Sequence, residues 1–241
     1  MNVPVSFFAE TQLPETQLHY VLSRATVEAR VILVVLALFS VFAWYMMLFK
    51  GMQMRRAKKL NQYFDSEFRA QKSVLAIFER KLDVFGCPFF AVYQEGCQEL
   101  NARLKSAAGS LRQPSLSLKS MEHIKRTVES AVARESIKLE SGLILLASAV
   151  SGGPFLGLLG TVWGVMDTFA NVGQKQIAEL VTMAPGVSAA LVTTVAGLVV
   201  AIPSMFGYNF LVHSLRVQTV ELDNFAQELV SKMETEYLIE E

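Results

Sequence analysis

The sequence has few residues of the kinds that build redox, metal or nucleic-acid sites. It holds 2 cysteines and 3 histidines in 241 residues, and its 22 basic side chains are balanced by 22 acidic ones. This zero net charge gives no general case for nucleic-acid binding. Cys87 and Cys97 belong to no CxxC or His-flanked pattern, and ten helical residues would separate them by about 15 Å. We therefore predict inert, reduced thiols.

Catalytic motifs are also missing. His19, His123 and His213 are scattered, and there is no GxSxG or HExxH motif and no clustered set of metal ligands. The stretch from Gly157 to Thr161 resembles a phosphate-binding loop only in part, because the lysine that would reach the phosphates is absent. We predict that the protein is not an enzyme and carries no cofactor or metal ion.

Two long apolar segments, Ser151–Gly164 and Ala184–Gly207, contain no ionisable side chain. Small residues recur in both at helical spacing. They are Gly153, Gly157, Gly160, Thr161 and Gly164 in the first segment, and Gly186, Ala190, Thr193, Thr194, Gly197, Ala201 and Ser204 in the second. In lipid no hydrophobic force drives helices together, so small residues mark faces where backbones approach closely. We predict two transmembrane helices whose small faces meet each other and a partner.

A third apolar run, Val31–Phe49, is nearly twenty residues long and has Trp44 and Tyr45 near one end, which is typical of a spanning helix with interfacial aromatics. The residues after it are basic: Lys50, Arg55, Arg56, Lys58 and Lys59. Because only Arg24 and Arg30 precede the span closely, the positive-inside rule places the N-terminus outside and residue 50 onward in the cytoplasm. Binding of RNA or acidic lipid by this cluster is the less common alternative.

The predicted fold class is all-α, a polytopic membrane protein with three transmembrane helices and a helical cytoplasmic subdomain. A mean hydropathy of +0.35 supports it. The predicted segments are an outside or interfacial stretch at 1–30, a first span at 31–49, a cytoplasmic helical region at 50–141, a second span at 142–166, an outside loop at 167–182, a third span at 183–212 and a cytoplasmic C-terminal helix at 213–241. Residues 1–30 either lie along the membrane surface or simply lead into the first span.

Glycine and proline predict where helices begin, break and bend. Breaks are expected at Gly86–Pro88 and Gly109–Ser115. Pro185 suits the first turn of the third span, where its missing N–H costs nothing. Pro203 lies well inside that span and is expected to bend it.

The most informative absence is that of a carboxylate inside the spans, because such a group usually carries the proton in ion-driven machines. Asp167 sits only at the outer end of the second span. A proton path therefore needs an acid from another chain, and Thr161, Thr193 and Thr194 are candidates to line it, since a hydroxyl both donates and accepts. The simpler alternative is that each threonine bonds its own backbone or packs.

Four stretches of the sequence together resemble the TolQ/ExbB/MotA proton-channel family, most of all its TolQ and ExbB branch. They are Gly157–Met166, Ala184–Gly186, Ala190–Pro203 and the pair Tyr208–Asn209. About sixty residues carry the resemblance strongly. It implies a homopentamer in the bacterial inner membrane with a periplasmic N-terminus, enclosing the single spans of a TolR- or ExbD-like dimer. The family's pore threonines correspond to Thr161 and Thr194, which favours a functional role for these two.

The same resemblance implies that the partner's Asp carries the proton, that protonation drives rotation, and that energy passes to a periplasmic TolA- or TonB-like protein. One position departs from the family, because TolQ and ExbB commonly have Glu where this chain has Ala189. Asp167 is a weak candidate to compensate, since it is not at a matching site. A passive membrane scaffold is the alternative function and a substrate transporter a poorer one. The envelope task, Tol-like, Ton-like or other, and H⁺ or Na⁺ as the coupling ion both stay open.

Overall fold

A computed structural model describes residues 26–80, 84–108, 116–175 and 180–238. All regular secondary structure in these residues is helical, and one isolated bridge joins Leu116 to Leu238. The helices are α1 (Val27–Ala70), α2 (Ala76–Glu79), α3 (Pro88–Ala108), α4 (Leu118–Glu140), α5 (Leu143–Lys175) and α6 (Leu180–Tyr237). The predicted all-α fold class is confirmed.

The chain forms two compact units. The membrane unit comprises residues 1–46 and 144–208, and the second unit comprises residues 47–143 and 209–241. Among the described residues, three helices are long and apolar enough to cross a membrane: Val27–Ala70, Leu143–Gln174 and Met183–Tyr237. The prediction of three spans is therefore confirmed. Of the outside or interfacial stretch predicted at 1–30, residues 1–25 lie outside the described residues, and residues 27–30 form the start of α1.

The spanning helices are longer than predicted. α5 continues to Lys175 and α6 begins at Leu180, so most of the stretch 167–182 expected to be a loop is helical. Polar side chains there are satisfied along their own helix: Thr168 Oγ1 donates to the Gly164 carbonyl at 2.7 Å, and Asn171 Nδ2 donates to the Asp167 carbonyl at 2.9 Å. Polarity alone therefore did not end the helix.

The earlier start of α6 also changes the place of a proline. Pro185 is the sixth residue of α6, so the prediction that it lies in the first turn was wrong. Pro203 lies inside α6 as predicted. Pro154 lies inside α5, and no role was predicted for it from the sequence. The predicted separate C-terminal helix from residue 213 is the continuation of α6.

The second unit is built around one aromatic core. Phe64 and Phe68 of α1 meet Tyr93 of α3 and Phe225 of α6, with ring centroids between 5.3 and 6.0 Å apart in edge-to-face arrangements. Phe89 stacks on Phe225 at 4.5 Å. Such pairs contribute about 0.5–1.5 kcal/mol each beyond the area they bury.

A turn separates α1, which ends at Ala70, from the short helix α2. The turn is held by α6: the Glu236 carboxylate accepts from Ser73 Oγ at 2.6 Å and from the Val74 N–H at 2.8 Å. Val74 is thereby buried in the core at 1% exposure. The break predicted at Gly86–Pro88 is present, since Gly86 has φ of 85° and α3 begins at Pro88.

Both cysteines are free and buried in the second unit. Cys87 stands just before α3 and its thiol donates to Asn61 Oδ1 at 3.4 Å. Burial raises the pKa of the Cys87 thiol, and burial raises the pKa of the Cys97 thiol to about 12. A raised thiol pKa lowers the fraction of thiolate, which is the reactive form.

We expect both thiols to resist alkylation in the folded protein. With a pKa of about 12 for Cys97, roughly one thiol in ten thousand is ionised at pH 8. Iodoacetamide labelling followed by mass spectrometry is expected to be at least a hundredfold slower in the native protein than in denaturant. Equal rates in the two conditions would contradict the described burial.

Lys50 of the basic cluster has a structural role that sequence did not reveal. It is 4% exposed, and its Nζ lies 3.4 Å from the Leu139 carbonyl at the end of α4 and 3.4 Å from Ser141 Oγ. Cations near the C-terminus of a helix interact favourably with its last carbonyls. Lys50 therefore ties α1 to the end of α4 within the second unit.

Candidate ion pathway in the membrane unit

The small faces of α5 and α6 lie against each other in the membrane unit. A Cβ atom added to Gly197 would lie 2.5 Å from the carbonyl oxygen of Gly153, and one added to Gly153 would lie 3.0 Å from the carbonyl oxygen of Gly197. Real Cβ atoms are not found at 2.5 Å from a backbone oxygen. The two backbones therefore contact each other directly, as small residues permit in membrane helices.

The same close packing extends along both helices. A Cβ on Gly160 would lie 2.4 Å from Thr193 Oγ1, and one on Gly164 would lie 2.8 Å from the Ala190 Cβ. The predicted packing residues at this α5–α6 contact are Gly153, Gly157, Gly160, Gly164, Gly186, Ala190, Gly197 and Ala201. This contact places the hydroxyl groups of the two helices next to each other.

The hydroxyls of Thr161 and Thr194 meet across this contact, with their Oγ1 atoms 3.5 Å apart. The Thr161 hydroxyl donates to the Leu158 carbonyl of its own helix at 2.7 Å. The Thr194 hydroxyl instead reaches the other helix, where it donates to the Gly157 carbonyl at 3.1 Å. Both side chains are half-buried, so each keeps some accessible surface.

Thr193 has a different environment. It is 0% exposed, and its hydroxyl lies 2.6 Å from the Ala190 carbonyl of its own helix and 3.1 Å from the Gly157 carbonyl of α5. Thr193 thus contacts backbone on both helices. Of the three threonines, Thr161 and Thr194 are the pair that a further chain can reach.

The two half-buried threonines also lie at one level of the helix pair. Thr161 stands fourteen residues before Lys175, and Thr194 stands fourteen residues after Leu180. At 1.5 Å per residue, each is about 21 Å from that end of its helix. Equal depths along α5 and α6 bring the two side chains together.

The two positions that bear on the missing acid lie elsewhere. Ala189 is 5% exposed and packs against Ala29 in the first turn of α1. Asp167 is six residues beyond Thr161, about 9 Å along the helix, and one of its carboxylate oxygens accepts from Asn171 Nδ2 at 3.2 Å. The sequence offers no other carboxylate in α5, and none in α6 before residue 221.

Residues 93–224 match the model of the MotA/TolQ/ExbB proton channel family, which is more than half of the chain. The chain belongs to this family. The family resemblance predicted from the glycine and threonine motifs is thereby confirmed. Together with three apolar helices, membership supports an inner-membrane protein.

Named relatives of the TolQ and ExbB kinds match over most of their length. The Tol-Pal system protein TolQ of Pseudomonas aeruginosa is 33% identical over 195 residues, covering 80% of this chain and 82% of the relative. The biopolymer transport protein ExbB of Xanthomonas campestris is 32% identical over 203 residues, covering 83% and 79%. The ExbB protein of Neisseria meningitidis is 30% identical over 198 residues, covering 82% and 88%.

One contact of this MotA/TolQ/ExbB family member was missed by sequence. Thr168 is 7% exposed, and a Cβ on Gly186 would lie 2.4 Å from Thr168 Oγ1. This pair continues the α5–α6 packing beyond the expected end of the second span. Thr168 continues the helical spacing of small residues along α5, which could have predicted this contact. It was missed because residues 167–182 had been predicted to form a loop.

Proposed function

We propose that the protein is the channel subunit of a TolQ–TolR or ExbB–ExbD type complex that couples the proton motive force to work on the cell envelope. The observation that carries the proposal is the Thr161–Thr194 hydroxyl pair, half-buried at one level of two helices whose sequence offers no ionisable group there. A hydroxyl can donate to a carboxylate and accept from a carboxylic acid, so the pair suits a proton carrier that moves past it.

The acid is proposed to come from a partner. In this scheme a ring of this chain, with five copies as in the family resemblance, encloses the single spans of a TolR- or ExbD-like dimer whose Asp carries the proton. Energy then passes to a periplasmic TolA- or TonB-like protein. One charge crossing 100 mV is worth about 2.3 kcal/mol, enough to bias a step between neighbouring packings.

The topology belongs to the same proposal. The basic residues that follow the first span favour a cytoplasmic second unit, and the chain's N-terminus is then periplasmic. No carboxylate of this chain replaces the family's Glu in the scheme, since Ala189 packs against α1 and Asp167 bonds within α5.

Replacing the paired hydroxyls tests the proposal. We expect Thr161→Val and Thr194→Val each to lower proton flux through the reconstituted complex at least tenfold, because each removes a hydroxyl that contacts the carrier. Flux is recorded with a pH-sensitive dye in vesicles that contain the complex with its single-span partner. Ser148→Ala is the matched control, since its exposed hydroxyl only donates to the Ile144 carbonyl of its own helix.

The second candidate function is a passive scaffold, and the fully buried Thr193 between the two helices is the observation that favours it. Full activity with both Thr161 and Thr194 replaced by valine would support the scaffold and overturn the channel. The same vesicles with a Na⁺ gradient in place of the proton gradient distinguish the two coupling ions.

A further inference from the structure

Three neighbouring hydroxyls share a small set of acceptors at the α5–α6 contact. Each threonine has one hydroxyl proton to give. Thr193 has two carbonyls within reach, that of Ala190 at 2.6 Å and that of Gly157 at 3.1 Å. Thr194 reaches the same Gly157 carbonyl at 3.1 Å and the Thr161 oxygen at 3.5 Å.

The Gly157 carbonyl has room for one of these two hydroxyls. A carbonyl oxygen has two lone pairs, and in an α-helix one of them accepts the N–H four residues further on. The remaining lone pair is the one that both Thr193 and Thr194 approach from α6. The two hydroxyls therefore compete for it.

Two arrangements of the protons follow from this competition. When Thr193 donates to Ala190, Thr194 is left to donate to Gly157, since its distance to Thr161 is at the long limit of a hydrogen bond. When the Thr193 hydroxyl instead donates to the Gly157 carbonyl, that carbonyl has no lone pair left. The Thr194 hydroxyl is then free to donate its hydrogen bond to another acceptor. No backbone movement is needed, because a hydroxyl proton rotates to suit its acceptor.

We propose that Thr193 is a positioning residue whose hydroxyl decides whether the Thr194 proton is available to a carboxyl group entering from a partner chain. The inference rests on the proposed channel function and deepens it. Thr193 itself touches no partner, because it is 0% exposed and faces Gly160 across the helix contact. It acts only through the acceptor it shares with Thr194.

The test compares four variants of the full chain in complex with its single-span partner. Thr193→Val keeps the shape and removes the rotating hydroxyl, so Thr194 stays on the Gly157 carbonyl and proton flux is expected to fall about tenfold, the equivalent of about 1.4 kcal/mol. Thr193→Ser keeps the hydroxyl and is expected to restore flux to within twofold of the unmodified protein. Thr194→Val reports on the channel itself.

Thr168→Val is the matched control, because it removes another buried hydroxyl at the same helix contact, one that donates to the Gly164 carbonyl of its own helix. Its flux is expected to stay within twofold of the unmodified protein. The amount of complex recovered with the partner is measured for every variant and is expected to be unchanged, which a purely structural role of Thr193 would not allow.

The outcomes separate the two ideas. Loss of flux in Thr194→Val with normal flux in Thr193→Val overturns the role of Thr193 and leaves the channel standing. Normal flux in both overturns the channel. Loss of flux in Thr193→Val that serine does not restore, or that comes with loss of the complex or with equal loss in Thr168→Val, assigns Thr193 to packing and overturns the inference.

Discussion

Gly197→Ala is expected to break the contact between α5 and α6. The added Cβ would lie 2.5 Å from the carbonyl oxygen of Gly153, and this oxygen belongs to the backbone and cannot turn away. Overpacking of this kind costs about 1–3 kcal/mol. The gain in helix propensity from Gly to Ala is only about 1 kcal/mol, so the clash decides the sign.

The matched control for this change lies in the same helix pair. A Cβ on Gly152 meets no atom within 4 Å, so Gly152→Ala gives the gain in helix propensity without the clash. Thermal unfolding of the detergent-solubilised protein distinguishes them: about 2–4 °C is lost for each kcal/mol in a chain of this size. We expect a lower midpoint and less recovered complex for Gly197→Ala, and an unchanged or higher midpoint for Gly152→Ala. Equal midpoints would show that the backbones do not touch.

This contact was within reach of sequence reasoning because lipid leaves few ways to bring helices together. Small residues at every third or fourth position identified the packing face of α5 and that of α6. The two small faces were then predicted to pack against each other. Thr161 and Thr194 belong to these small faces, and their Oγ1 atoms lie 3.5 Å apart. Hydropathy and helical period are local properties, so they can be determined from the sequence.

The ends of the helices and the tertiary hydrogen bonds could not be predicted from the sequence in the same way. Residues 167–175 include Asp167, Thr168 and Asn171, yet they remain helical, and the polar groups of Thr168 and Asn171 bond carbonyls one turn back in the same helix. Lys50 looked like a topological charge, but it caps α4 through a bond that spans 89 positions of sequence. The competition at the Gly157 carbonyl depends on distances of a few tenths of an ångström between two helices, which no spacing in the sequence specifies.

Ala189→Glu is expected to damage the membrane unit, although Glu is the residue that the TolQ and ExbB resemblance implies at this position. Ala189 is 5% exposed and packs on Ala29, so the new carboxylate would be forced into the contact between α6 and α1. A carboxylate within a membrane span costs about 2.5–3.5 kcal/mol. The N-terminus of α1, which begins at Val27, lies nearby and stabilises a negative charge by about 0.3–1 kcal/mol through the helix dipole. This is too little to offset that cost.

The neighbouring residue supplies the control, because Ser188 is exposed in the membrane unit. Ser188→Glu adds the same charge one position earlier without entering the α1 contact. We expect both variants to unfold at a lower midpoint than the unmodified protein, because both place a carboxylate in the span. The lower midpoint and the poorer recovery of the complex are expected for Ala189→Glu, since it alone enters the α1 contact. An Ala189→Glu protein that is stable and conducts protons faster would show that α1 yields at this site. It would also show that the packing of α6 on α1 does not exclude a glutamate at position 189.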